Sequence, residues 1–479
     1  MLDEYIQPIL EDKRKLVVAI TVILVITLGF LVIIWPRNES PDTPPSQSNS
    51  PASIKAELVW WNPNFGPEVY NEIIEDFRSE YKNVQIKVVK KDYDDEYYKS
   101  LIQEIARDSG PDIFSIRNDD LPAYKEFMSP ISFFTGERLT QYKTDFTDFA
   151  IRDTTERDSV YGVTSYIDNL QLYYNKEMLS REGIALPPKT WNDLEKQLKP
   201  LNERDSEEDV FERSAISLGT GNLSPNSYNN TNIAYMEDIL PMLIFQKNGQ
   251  IYDYRTEGSA IESSPNSNFY EALDFYLSFA NPSNTNYSWN NEQEDNITAF
   301  AQEELAYMIG YKKTEEMLLE QNPILDYGVT EIPQFNEDNP KTYGYFFMDG
   351  INKNIENDNN KKIAAEAFLY YLSLPETQKK FAEKTDLPGA RKDILQEQRG
   401  QDEKLRVFSL GALNADNYYK PDVEASEKMW QEMFYKIHFE TGKFSTGNTP
   451  SREDALKNLL QDLSQQYQAI LKEDPTLRG

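Results

Sequence analysis

The sequence predicts an α/β protein held outside a membrane by an N-terminal helix. Two observations carry this reading. From Ala56 to Phe114, β-type runs alternate with segments whose apolar residues fall on one helical face, and an order of β-α-β-α-β implies a parallel sheet covered on both sides. Ahead of it, Leu16 to Trp35 is a run of 20 residues without a charge. At about 1.5 Å rise per residue such a run spans about 30 Å, the hydrocarbon thickness of a bilayer.

The N-terminal elements follow in order. Residues 1–15 end in Lys13, Arg14 and Lys15, whereas Arg37 alone follows the apolar run before an acidic and polar segment. The positive-inside rule places residues 1–15 in the cytoplasm, 16–35 across the membrane and the bulk of the chain outside, a single-pass topology. A cleaved signal peptide fits less well, because the apolar run exceeds the usual h-region and no small-x-small site follows it. Residues 36–54, with NESPDTPPSQSNSPAS at their centre, have the composition of a disordered Pro/Ser linker, about 25 Å long as coil or about 55 Å as polyproline.

Beyond the linker, Ala56 to Trp61 reads as a strand. Val69, Tyr70, Ile73, Ile74 and Phe77 then mark a helix with one buried face. Val84 to Val89 is the next strand, and Tyr97, Tyr98, Leu101, Ile102 and Ile105 repeat the helical pattern before Gly110-Pro111-Asp112-Ile113-Phe114 turns into a third strand.

Composition removes several function classes. A net charge of −31 repels nucleic-acid phosphates and anionic lipid, so no nucleic-acid partner is expected. Cysteine is absent, which excludes disulfides, thiolate metal sites, a cysteine nucleophile and a lipid-bearing cysteine. With His438 as the sole histidine, neither a Ser-His-Asp triad nor a multi-histidine zinc site has material. GTGN at 219–222 lacks the spacing of a nucleotide fingerprint. The acidic clusters at 92–96 and 356–360 lack the spaced ligands of a calcium loop and read as solvated faces. No metal, cofactor or catalytic residue is expected, and no carboxylate pair stands out for glycoside hydrolysis.

The stretch YGVTSYIDNLQLYYNKEMLSREGIALPPKTW, residues 161–191, resembles the inter-lobe crossover of the family 1 extracellular solute-binding proteins of ABC importers, the maltodextrin-binding type among them. DFRSEYKNVQIKVV, GPDIF, ITAFAQEELAYMIG, YGVTEIPQF, GYFFMDGINKN and TDLPGARKDIL continue the resemblance in order over residues 56–471. Glu303 and Glu304 depart from the Gly-Lys pair common there. The resemblance implies a type II periplasmic-binding-protein-like fold. Its N-lobe would comprise 55–166 and 347–395, and its C-lobe 167–346 and 396–479. It also implies a monomer that captures a small solute, an oligosaccharide by preference, and presents it to ABC permease subunits. A surface-tethered carbohydrate-active enzyme, or a sensory or adhesive glycan-binding module without a transporter, are the alternatives.

Ligands of open α/β sheets bind beyond the carboxyl ends of strands. Asn64, in the loop after the first strand, aims its amide at that region. Asp119 and Asp120, after the third strand, each offer a carboxylate for sugar hydroxyls. Asp168 is a charge in an otherwise apolar strand pair and needs a partner if buried. The resemblance puts Asp119 and Asp168 at ligand-binding carboxylate positions and Tyr311 and Trp430 at or beside cleft positions. Trp289 and Phe346 are weaker aromatic candidates for stacking on a sugar face.

Overall fold

The computed structural model describes residues 50–205, 207, 209–220, 231–253, 255–439 and 449–473. The apolar run at 16–35 lies outside the described residues. Among those described, no helix is long and apolar enough to cross a membrane. The end of the expected linker is ordered: Pro51–Ser53 forms a short 3-10 turn, Asn83 donates its amide to Ala52 O at 2.8 Å, and Ile54 is buried.

The first lobe starts with β1 (Ala56–Asn62), β2 (Val84–Lys90) and β3 (Ile113–Arg117), separated by helices Pro67–Glu80 and Asp95–Ala106. The first helix buries Tyr70, Ile73, Ile74 and Phe77, the face its 3.6-residue pattern calls for. Asp94 caps the second by accepting from the Glu96 and Tyr97 amides. A two-residue strand β4 (Met128–Ser129), the hairpin β5 (Thr155–Glu156) and β6 (Ser159–Val160), and β7 (Gly162–Val163) follow.

The chain then crosses through β8 (Asp168–Asn169) into the second lobe, whose strands are β9 (Gln171–Asn175), β10 (Glu203–Asp205), β11 (Val210–Ile216), β12 (Tyr252–Asp253), β13 (Gly258–Ser259), β14 (Leu305–Gly310) and β15 (Tyr327–Thr330). Its main sheet runs β10-β11-β14-β9-β15, with β9 antiparallel to both neighbours. Asn175 caps the helix Lys176–Arg181. Thr190 caps Trp191–Leu201, whose leading Trp191 is buried and donates to Gln246 Oε1 at 2.7 Å. The PPKTW segment is therefore an anchor of the lobe.

The return passes through β16 (Thr342–Tyr345) into β17 (Phe347–Asn352). The latter inserts between β3 and β4, giving a first-lobe sheet of order β2-β1-β3-β17-β4. β1 is parallel to β2 and β3, but β17 is antiparallel to β3. The sheet is mixed, not wholly parallel as the opening β-α-β-α-β order suggested, because its fourth strand arrives from the other lobe. Helices Asn359–Leu372, Pro375–Thr385 and Lys392–Gln398 follow. Then come Glu403–Asn414, β18 (Ala415–Asp416) and the closing helices Val423–Phe439 and Thr449–Glu473. His438 lies in the first closing helix, and its side chain is outside the described residues. The second closing helix sets Leu456, Leu459, Leu460 and Leu463 into the second-lobe core.

Two apolar cores result, one around Trp60, Phe77, Phe114 and Phe368 and one around Trp191, Leu243, Phe300 and Phe434. Between them stands a three-stranded sheet of order β18-β16-β8. It is packed closely: a Cβ on Gly344 would come within 2.7 Å of Ala415 Cβ and 3.2 Å of the Asp168 carbonyl.

Candidate functional site

The loops that leave the strand ends of both lobes meet at this short sheet. After β1, Asn62 Oδ1 accepts from the Asn64 and Phe65 amides at 2.9 Å each, a turn that projects Asn64 away from the sheet. Asn64 Nδ2 donates to the Tyr166 hydroxyl at 3.0 Å, and Asn64 Oδ1 accepts from Lys313 Nζ of the other lobe at 2.9 Å. That ammonium also lies 5.4 Å from the Phe65 ring centroid and 5.9 Å from that of Tyr166, within cation–π range. Burial lowers the Lys313 pKa, against the pull of Asp168.

Asp168 is fully buried. It accepts from the backbone N–H of Lys312 at 2.8 Å, of Lys313 at 3.3 Å and of its own neighbour Asn169 at 2.9 Å. Burial pushes its pKa up to about 6 although those N–H groups and the Lys313 charge oppose the rise. A carboxylate on the crossover strand thereby holds the start of the second-lobe segment that carries Lys312 and Lys313.

Beyond β3, the residues Asn118–Asp120 form a 3-10 turn. It is pinned by Phe346: Asn118 N donates to Phe346 O and Phe346 N donates to Asn118 Oδ1, both at 2.9 Å. Asp119 lies 3.0 Å from Arg117 Nε and accepts from Lys420 Nζ at 2.7 Å. Burial opposes its charge, but the two cations outweigh it and hold Asp119 below the ordinary carboxylate range. Asp120 accepts from the Tyr98 hydroxyl. Burial, and after it the Asp119 charge alongside, push Asp120 up to about 8. The two adjacent carboxyls are driven in opposite directions, Asp119 toward its charged form and Asp120 toward its neutral one.

Tyr311 is buried and donates its hydroxyl to Asp238 Oδ2 at 2.7 Å, with its ring edge-on to Tyr235 and Tyr345. Asp238 is 3.8 Å from Arg117, whose guanidinium sits 4.9 Å from the Tyr345 ring. Asn64, Asp119, Asp120, Asp168 and Tyr311 are thus brought to one inter-lobe zone of buried charges and tyrosine rings. Trp430 and Trp289 are placed elsewhere, and Phe346 joins the zone through its backbone while its ring belongs to a core. Trp430 is buried in the second-lobe core, where it donates to the Tyr418 hydroxyl at 2.6 Å. Trp289 is fully buried in the same core. Phe346 is fully buried in the first, edge-on to Phe149. Each is a large apolar surface that gains more from core packing than from a wet wall.

Arg117, Asp238, Lys313 and Lys420 complete the zone and were not singled out by sequence. Arg117 could have been, since it precedes Asp119 at the end of an apolar strand. Lys420 is 301 residues from its partner, and no local pattern links them.

A cavity of about 320 Å³ opens beside Asp119 and Lys420. It lies between the loop 118–125 and hairpin β5–β6 of one lobe and hairpin β12–β13 and residues 417–420 of the other.

Comparison with known proteins sets this geometry in context. The diacetylchitobiose binding protein DasA of Streptomyces coelicolor is 24% identical over 204 residues, 42% of this chain and 45% of the relative. The aligned region therefore spans less than half of that relative's length. Among solved structures, the cyclic α-maltosyl-1,6-maltose binding protein of Arthrobacter globiformis superposes with a TM-score of 0.68 at 14% identity, over 87% of this chain and 99% of that one. The sugar-binding protein MalE of Xanthomonas citri gives 0.67 at 17%, over 88% and 99%. An ABC transporter solute binding protein of Thermotoga lettingae bound with α-D-tagatose gives 0.61 at 20%, over 85% and 100%. These likenesses establish the two-lobed periplasmic-binding-protein-like fold. The family model described as bacterial extracellular solute-binding protein matches residues 72–406, and the chain belongs to that family.

Proposed function

We propose that this protein is a receptor that captures a saccharide between its lobes and hands it to the permease subunits of an ABC importer. The observation that carries the reading is the inter-lobe zone itself. Carboxylates, amides and tyrosine rings from both lobes converge there on a sheet of three short strands, the place where lobes can turn about few residues. Polar groups that fix hydroxyls, with ring faces beside them, suit a saccharide. The saccharide ligands named for DasA, the Arthrobacter protein and the Thermotoga complex support the same class. No chemical step is needed: ligand binding selects the closed arrangement. The uncharged run at 16–35 would tether the receptor outside the membrane, with 1–15 in the cytoplasm and the chain acting as a monomer.

Titration calorimetry of residues 50–479 with a glycan panel tests this. Saturable binding without product formation is expected, and Asp168→Ala should weaken it about tenfold or more, ~1.4 kcal/mol, because the Lys312–Lys313 segment loses its anchor. Turnover of any glycan, or no binding across the panel, would remove the reading.

A further inference from the structure

The molecule's own side chains fill the inner part of the inter-lobe zone. Around Asn64, Phe65 and Tyr166 the free space is only about 10 Å³, at or below what one water requires. Arg117, Asp238, Tyr311 and Lys313 are engaged with one another or with the opposite lobe. The roomier space lined by both lobes is the off-centre cavity of about 320 Å³, near the lower end of the ~300–1,000 Å³ typical of ligand sites; a cavity of about 540 Å³ beside Gly249 and Phe269 is lined by the second lobe alone.

Three features of its wall define an occupant. First, four acidic and four basic side chains line it, and the inner ones are matched within the wall. Lys420 pairs with Asp119 at 2.7 Å, Arg152 with Asp153 at 2.6 Å and Lys125 with Glu156 at 2.5 Å. A charged ligand would bring in a charge that the wall does not balance. Second, Asn417 is 7% exposed and its Nδ2 has no hydrogen-bond partner among the described residues. Its Oδ1 accepts from Arg152 at 2.6 Å, which fixes the amide so that Nδ2 remains a donor. Thr155, also on the wall, has a buried hydroxyl without a partner among the described residues. Buried groups of this kind cost free energy until something pairs with them. Third, Tyr252 and Tyr419 set ring against ring at 4.8 Å and 31°, giving the wall flat apolar surface beside its donors.

We propose that this off-centre chamber is the ligand site and that it takes a short, uncharged saccharide, with Asn417 Nδ2 donating to one of its oxygens and the Thr155 hydroxyl bonding a second. The inference rests on the saccharide-receptor reading and deepens it. The size of the chamber admits about one or two sugar rings. A smaller cavity of about 220 Å³ on the other side of Arg152 and Asn417 leaves room for about one more.

Calorimetry with a ladder of neutral saccharides of about one to six units, joined by uronate-bearing and amine-bearing versions of the best binder, is the test. Affinity should stop rising by about three units, and either charge should weaken binding about tenfold or more. Asn417→Ala and Thr155→Val, each checked for an unchanged melting transition, should each lose about tenfold. Thr155→Val leaves the Arg152 contact with Asn417 intact, so it separates lost ligand contact from a disturbed inter-lobe bond. Affinity that climbs through the whole ladder would overturn the inference and leave the receptor reading standing. So would equal binding of the charged sugars, or wild-type affinity in both variants. Failure of the wild-type chain to bind any saccharide would overturn the receptor reading and this inference together.

Discussion

Asp349 sits in the first-lobe sheet, accepting from Trp60 Nε1 at 3.0 Å and from the Ser115 hydroxyl. Burial raises its pKa to about 7 against those two bonds. The folded state therefore holds this proton where the unfolded chain, at about 3.9, has released it. Its contribution is complete below pH ~4 and is lost as pH rises through about 7, a change of about 4 kcal/mol at most. Asp349→Asn keeps an acceptor and cannot ionise, so its melting temperature relative to wild type should rise between pH ~4 and ~8; a constant difference would deny the buried proton. Asp119 and Lys420 form a buried ion pair. Lys420→Met should cost about 3–5 kcal/mol by leaving Asp119 less compensated, whereas Lys420→Met with Asp119→Leu should recover most of the loss in chemical denaturation. At this scale the sequence disclosed only part of the zone. Asp119 and Asp168 stood out because each interrupts or ends an apolar strand. Trp289, Phe346 and Trp430 lie buried in the two cores, which the sequence did not disclose, because an aromatic residue reads alike whether it stacks on a ligand or fills a core.

Among the elements, the short sheet β18-β16-β8 is the most sensitive to volume. Gly344 faces Ala415 and the Asp168 carbonyl at distances too short for a side chain. Gly344→Ala should therefore destabilise the protein by about 1–3 kcal/mol and broaden its scattering profile as the lobes lose their fixed relation; an unchanged melt would show that the strands can part at no cost. A second contact restrains the same joint, since Lys312 Nζ reaches Asp386 Oδ2 across the lobes at 2.8 Å. The helices and strands of the first lobe were legible because their apolar residues repeat at the period of each element. The antiparallel entry of β17 was not, because strand direction depends on where the chain comes from and not on its side-chain pattern.

For the molecule as a whole, 80 acidic against 49 basic residues set up a self-repulsion that opposes the compact state. Raising salt from about 0.01 to 0.15 M shortens the screening length from ~30 to ~8 Å. The melting temperature should then rise by a few degrees, and a fall would mean that the ion pairs between lobes outweigh the net charge. Two-lobed architecture could be read from the order of many weak motifs, since order survives where single motifs do not. The place of the roomy chamber could not, because it is set by which side chains happen to fill the rest. The insertion of β17 between β3 and β4 has a consequence in time. A chain emerging from its N-terminus holds β3 with one edge unpaired until residue 352 has been made, and Asp119 waits longer still for Lys420. Neither lobe can finish before most of the polypeptide exists, so the nascent chain stays incompletely folded for most of its synthesis, a state suited to being threaded across a membrane before it closes.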